Sequence, residues 1–361
     1  MKKRATYLIR AAILVAGIAG AAAVLAFTGT EERNPGPQKQ SAASSESGAH
    51  TLKPAGYIDL PGPPGKRFDY LTIDYDDGYL LSAHLGAGLL YVIDLKTNKV
   101  VQTIPDVPGV EGVEYVPELK KIYTSDWHEK KIGVIDLRQG KIITKLPAQQ
   151  KPDGSAYAPP FHKLYVSDER AETEIVVDVQ NDKIVATLNF KSETGMPQYD
   201  PVAKLVYVNL QQLNVMTVID PATDKVITPV YMVAPCKGNH GMALDPEHRR
   251  AFLVCEDNNL MAVIDLEKHR VITTLPTADG GDVIKYDPGL KRIYVACYSG
   301  AISVFQEDDP DHFRKLEDFP AQHKVHSLAV DERTHRVYVP EEEENGKPVA
   351  RMIVYEPVER H

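Results

Sequence analysis

The chain is poor in cysteine, with three in 361 residues (Cys236, Cys255, Cys297), and in tryptophan, with Trp127 alone. Three thiols cannot build a disulfide scaffold, and the odd count leaves at least one unpaired within the chain. Positive charge is also scarce: 41 Lys and Arg face 50 Asp and Glu, a net −9, with no Lys/Arg-dense block after the first ten residues. That argues against nonspecific binding along a phosphate backbone, so no nucleic-acid partner is expected. There is no Gly-x-Ser-x-Gly elbow, no phosphate-cradling Gly-rich loop, no Cys-x-x-Cys-His haem attachment and no convincing 3.6-residue periodicity. What is present is ordinary globular composition, 43% hydrophobic and 25% charged, which excludes a wholly disordered, collagen-like or polytopic membrane chain.

One long apolar run exists. Lys2, Lys3, Arg4 and Arg10 precede Ala11 to Phe27, seventeen residues without a charge. A basic segment followed by an apolar one rich in small residues has the layout of an export signal. It is also just long enough for a retained membrane anchor. Either way residues 1–27 deliver the rest outside the cytoplasm, periplasmic or secreted, and touch the membrane only through that segment. Residues 28–54 are rich in Ser, Gly, Pro, Glu and Gln, cannot bury a core, and read as a flexible tether.

From about residue 55 to 361 the chain repeats itself. Lys163-Leu-Tyr-Val-Ser-Asp, Leu205-Val-Tyr-Val-Asn-Leu, Arg292-Ile-Tyr-Val-Ala-Cys and Arg336-Val-Tyr-Val-Pro-Glu are copies of one segment. Each copy is followed, some ten residues later, by an apolar run often ending in Asp. From Asp94 through Asp136 and Asp178 to Asp220 the spacing is 42 residues each time, then 45 to Asp265. A second ruler agrees. Seven residues after each of the anchors Asp74, Val116, Ala158, Asp200, Asp245, Asp287 and Asp331 stands Leu81, Tyr123, Tyr165, Tyr207, Phe252, Tyr294 or Tyr338. Short β-branched and aromatic segments punctuated by 26 prolines and 24 glycines predict four antiparallel strands per unit. Seven such sheets bury both faces only by packing around an axis, so the predicted fold is all-β, a seven-bladed β-propeller. Gly56-Tyr-Ile-Asp-Leu-Pro61 matches the last strand of a unit while the final unit lacks its own, so the N-terminal strand is expected to close the last blade.

Leu205-Val-Tyr-Val-Asn and Met216-Thr-Val-Ile-Asp-Pro-Ala-Thr-Asp-Lys-Val-Ile-Thr228 resemble the repeat of the YVTN family of seven-bladed propellers, to which YncE-like exported proteins belong. The likeness spans roughly Gly56 to Val358, although every copy departs from the family's tetrapeptide. It implies an extracytoplasmic binding or scaffold protein rather than a particular reaction.

The repeat also places equivalent residues in rings. Five before each anchor lie Asp69, Glu111, Asp153, Gly195, His240, Asp282 and His326; ten after lie His84, Asp126, Asp168, Leu210, Cys255, Cys297 and Glu341. As cross-strand neighbours at one disc face, the two rings would gather carboxylates, imidazoles and thiols into a single mouth for a small ligand or a protein partner. Asp69, Glu111, Asp153 and Asp282 are the candidate ligand contacts. Arg67 offers positive charge, and Trp127, His128 and Glu169 are expected at the rim. His84, His240, His326 and Cys255 are donors suited to a divalent or copper ion. The alternative is a metal-assisted propeller enzyme, lactonase-, lyase- or quinoprotein-dehydrogenase-like, built on the same ring. Cys236 with Cys255, in one blade near one face, is a better candidate bridge than Cys255 with Cys297 in adjacent blades.

Overall fold

The computed structural model describes residues 50–358; the leader and nearly all of the tether lie outside the described residues. Twenty-eight strands form seven antiparallel four-stranded sheets, and each innermost strand packs on the next, with the seventh against the first. Seven of the connections carry a single turn of 3-10 helix.

The chemistry of the repeat explains its geometry. The Asp that ends the third strand in the first six blades caps the following turn. Asp94 accepts the Thr97 amide at 2.7 Å, Asp178 that of Gln180 at 2.9 Å, and Asp265 those of Glu267 and Lys268 at 3.0 and 2.9 Å. These are Asx turns, whose carboxylate satisfies the amides that the reversing chain frees. The aromatic seven residues past each anchor is the core. Tyr123, Tyr165, Tyr207, Phe252, Tyr294 and Tyr338 are all buried, as is Leu81 in the first unit. Apolar clusters form between sheets rather than within them: Tyr123, Ile132 and Val134 of the second blade pack on Leu164, Val166 and Ile175 of the third.

Polar links reinforce that packing from blade to blade. Lys121 and the Tyr123 hydroxyl both reach Asp182 in the next blade's outer turn, at 2.7 and 2.5 Å. One blade on, Lys163 and Tyr165 do the same to Asp224 at 2.7 and 2.8 Å.

The closing strand is as expected. Leu52–Asp59 pairs antiparallel with Lys347–Pro357 and completes the blade whose innermost strands are Ala329–Asp331 and Arg336–Glu344. It starts at Leu52, so its first residues come from the stretch read as tether. Leu52, Ile58 and Leu60 from this segment are buried.

Candidate functional site

Register decides what faces the axis. The two rings were expected opposite each other, but in the second to sixth blades the residue opposite the second-ring position is the one six before the anchor. Pro152 pairs with Asp168, Asn239 with Cys255 and Gly281 with Cys297. The next matched pairs are Ser155 with Val166, Met242 with Leu253 and Ile284 with Val295, so two residues oppose one on the partner strand. This is a β-bulge, repeated in the second and fourth blades. A one-residue offset sends side chains to the other face of the sheet. The first ring therefore lines the mouth, and the second withdraws between blades.

That corrects two of the expected metal donors. His84 is fully buried and stacked on Phe68 with ring centroids 3.9 Å apart. Its Nε2 donates to the Lys66 carbonyl at 3.2 Å, and burial pushes its pKa down to about 4. Cys255 is bonded to Cys236, Cα atoms 5.2 Å apart, and has no thiolate to offer. The rest of the second ring is likewise internal. Asp168 accepts the amides of Gln149 and Lys151 at 2.5 and 2.6 Å, Cys297 is a buried free thiol, and Glu341 pairs with Arg351.

The first ring does converge. Asp69, Glu111, Asp153, His240, Asp282 and His326 surround a cavity of about 170 Å³. Arg67 and Glu169 also line it, as expected, and Lys151, Glu256 and Tyr70 complete it. The last three escaped the sequence reading although the repeat held a signal for each. Lys151 occupies the same position, seven before the anchor, as Arg67, and Glu256 the same position, eleven after, as Glu169. Tyr70 sits four before its anchor, where the second, third and fifth blades have Gly112, Gly154 and Gly241. A Cβ at Gly112 would lie 2.1 Å from the Asp153 carbonyl oxygen, so neighbouring inner strands approach too closely there for a side chain. Blades without that glycine send Tyr70, Met196 and Val283 into a cluster of their own on the axis. The cluster floors the mouth. Beyond it lies a larger cavity of about 220 Å³ reaching Glu114, Lys285 and Glu332. Among the described residues, none of its lining side chains has a buried polar atom without a partner.

The mouth, by contrast, is tightly coupled. Lys151 Nζ lies 2.5 Å from Glu169, 3.2 Å from Asp153 and 3.5 Å from Glu111. Across the cavity, His326 Nδ1 is 3.0 Å from Asp282 Oδ2, and Arg67 Nη2 is 3.2 Å from Asp69. Burial disfavours a charged His326, but the carboxylates of Asp282 and Asp69 outweigh it and hold the ring well above the usual imidazole range. Burial likewise opposes an ionised Asp282, yet His326 and then His240 hold it below the usual carboxylate range. Arg67 Nη2, 2.6 Å from His326 Nε2, can donate to that nitrogen only while the ring is neutral.

His240 Nε2 is 3.0 Å from the Tyr70 hydroxyl and 3.5 Å from Asp282. Burial opposes its charge, but Glu256, Asp282 and Asp153 raise its pKa to about 9. Glu111 is pushed up to about 10, first by burial and then by Asp153 and Asp69, so it holds a proton at neutral pH. Among the described residues, two polar atoms in this wall make no hydrogen bond, His240 Nδ1 and Glu111 Oε2, the latter lying 3.5 Å from the Lys151 ammonium. The donors best placed for a metal here are His240, Glu256 and Asp282, whose ligand atoms lie within 4.8 Å of one another. His326 also lies in the mouth but is engaged by Asp69 and Asp282.

Trp127 stands beside the mouth, with the Lys151 ammonium 5.9 Å and the Arg170 guanidinium 5.5 Å from its ring. His128, exposed, has its ring 4.7 Å from that of Trp127 and does not line the cavity.

No protein-family model matches the chain, and no curated protein sequence matches it. Its fold is similar to solved structures. One is a chain of "Crystal Structure of Mitotic Checkpoint Complex", at TM-score 0.72 and 12% identity, covering 94% of this chain and 99% of that one. Another is "Structure of U3-55K", at 0.71 and 12%, covering 86% and 99%. A third is "Crystal structure of RRP9 WD40 repeats", at 0.68 and 13%, covering 79% and 93%. At such identities the likeness is one of fold, and the fold is a seven-bladed β-propeller.

Proposed function

We propose that this is an exported β-propeller of YVTN-repeat type that binds a small, charged, polar ligand in its central mouth. The observation that carries the reading is a partly open, charge-lined cavity in whose wall His240 Nδ1 makes no hydrogen bond and Glu111 Oε2 has only the Lys151 ammonium, 3.5 Å away. Buried polar atoms without partners cost stability and are rare, and a ligand carrying both donors and acceptors satisfies them. At about 170 Å³ the cavity falls below the ~300–1,000 Å³ of drug-sized sites, which favours a small ligand over an extended one. The Cys236–Cys255 bridge supports an oxidising compartment, in line with the basic and apolar leader of residues 1–27 and the tether of 28–54. The likeness in fold lends no support to the enzyme alternative.

Native mass spectrometry of the full chain, purified from the compartment where it accumulates, tests this. A small-molecule adduct is expected on the wild type and absent from His240→Ala and Glu111→Ala. The reading fails if the wild type carries only its own mass and millimolar amino acids, dicarboxylates and amines leave its melting temperature unchanged. An adduct that persists in both variants also contradicts it, as does loss of a protein partner's binding only when rim residues such as Trp127 are changed.

A further inference from the structure

A second cluster sits at the far end of an inner strand. The strand Asn239–Asp245 begins beside the mouth at His240 and ends at Asp245, about 16 Å away at ~3.3 Å per residue. The turn that follows brings back His248, whose Nδ1 lies 2.6 Å from Asp245 Oδ2. From the adjacent blade, Glu307 on the strand Ala301–Asp309 points its Oε1 to 3.9 Å from the same nitrogen. The three ligand atoms lie within 4.8 Å of one another.

The carboxyl of Glu307 is the telling part. Its side chain is wholly buried, and its Oε2 accepts a hydrogen bond from the Tyr286 hydroxyl at 2.5 Å. That contact fixes the group and leaves Oε1, facing the cluster, without a hydrogen-bond partner. A buried, oriented and unsatisfied carboxylate oxygen beside an imidazole and a second carboxylate is the donor arrangement of a divalent cation site. Asp245 is buried, while His248 is 30% exposed and opens the cluster to solvent on one side.

We infer that Asp245, His248 and Glu307 form a Zn²⁺-type divalent cation site that joins the inner turn of the fifth blade to the third strand of the sixth. Two carboxylate oxygens and one imidazole nitrogen supply three ligands, and water from the exposed side supplies the fourth. Tyr286 acts as a positioning residue through its bond to Glu307. The site is independent of the mouth, so the two can succeed or fail separately.

Chelator-treated full-length protein, titrated with Zn²⁺ by calorimetry and followed by thermal melting, decides the matter. Zinc is expected to bind at a site that His248→Ala and Glu307→Gln abolish and that His240→Ala leaves intact, and to raise the melting temperature. Tyr286→Phe is expected to weaken binding by about 10–100-fold. His248→Ala guards against a folding defect in the Glu307 variant, because His248 is partly exposed. Absence of zinc binding overturns the site, as does binding that survives His248→Ala; loss on His240→Ala instead would place the metal in the mouth.

Discussion

Glu111 illustrates how a single residue couples the mouth to stability. Buried beside Asp153 and Asp69, its carboxyl is pushed up to about 10, whereas in the unfolded chain it titrates near 4.5. Between those values the folded state holds a proton that the unfolded state has lost, so this group makes stability fall as pH rises. His240, raised to about 9, acts in the same direction: its contribution is complete below about 6.5 and is lost as pH passes 9. Glu111→Gln keeps the neutral shape and removes the titration. Melting curves from pH 5 to 9 are therefore expected to show the variant gaining on the wild type as pH rises, while the His240 part of the slope remains. Parallel curves would mean that Glu111 is ionised in the fold. At this scale the sequence was informative where one residue type recurred at one repeat position, as in Asp69, Asp153 and Asp282. Its signal was weaker for Lys151 and Glu256, which share positions with Arg67 and Glu169 but stand where most other blades carry something chemically different.

Strands are legible in the sequence by their order and not by their local irregularities. Blade count, strand order and the closing N-terminal strand follow from spacing, because each turn keeps a fixed length and each buried aromatic a fixed offset. The bulge does not. Counting across a turn assumes an unbroken ladder, and one extra residue on the inner strand moved Asp126, Asp168 and Cys255 out of the mouth. The glycines at 112, 154 and 241 were its trace, since they mark where inner strands approach most closely. Closure itself yields a prediction. Removing Leu52 to Pro61 exposes the edge of Lys347–Pro357 and the partners of Leu52, Ile58 and Leu60. By the burial of three aliphatic side chains alone, the loss is on the order of 5 kcal/mol or more. Chemical denaturation is expected to show a large fall in stability together with self-association through the open edge; an unchanged midpoint would mean that the strand contributes nothing to closure.

For the molecule as a whole, the propeller puts residues from six blades, far apart in sequence, around one cavity, and Tyr70, Met196 and Val283 close it from below. The same ring geometry explains the depth of burial. Charges that would be solvated on a surface are held here among neighbours of both signs, and His240 Nδ1 and Glu111 Oε2 are the atoms through which the proposed ligand would be held. The most direct measurement is high-resolution electron density for the protein purified without harsh washing. The account predicts density for a bound molecule within hydrogen-bonding distance of both His240 Nδ1 and Glu111 Oε2. Density for nothing beyond scattered water, with those two atoms paired to protein groups instead, would contradict it.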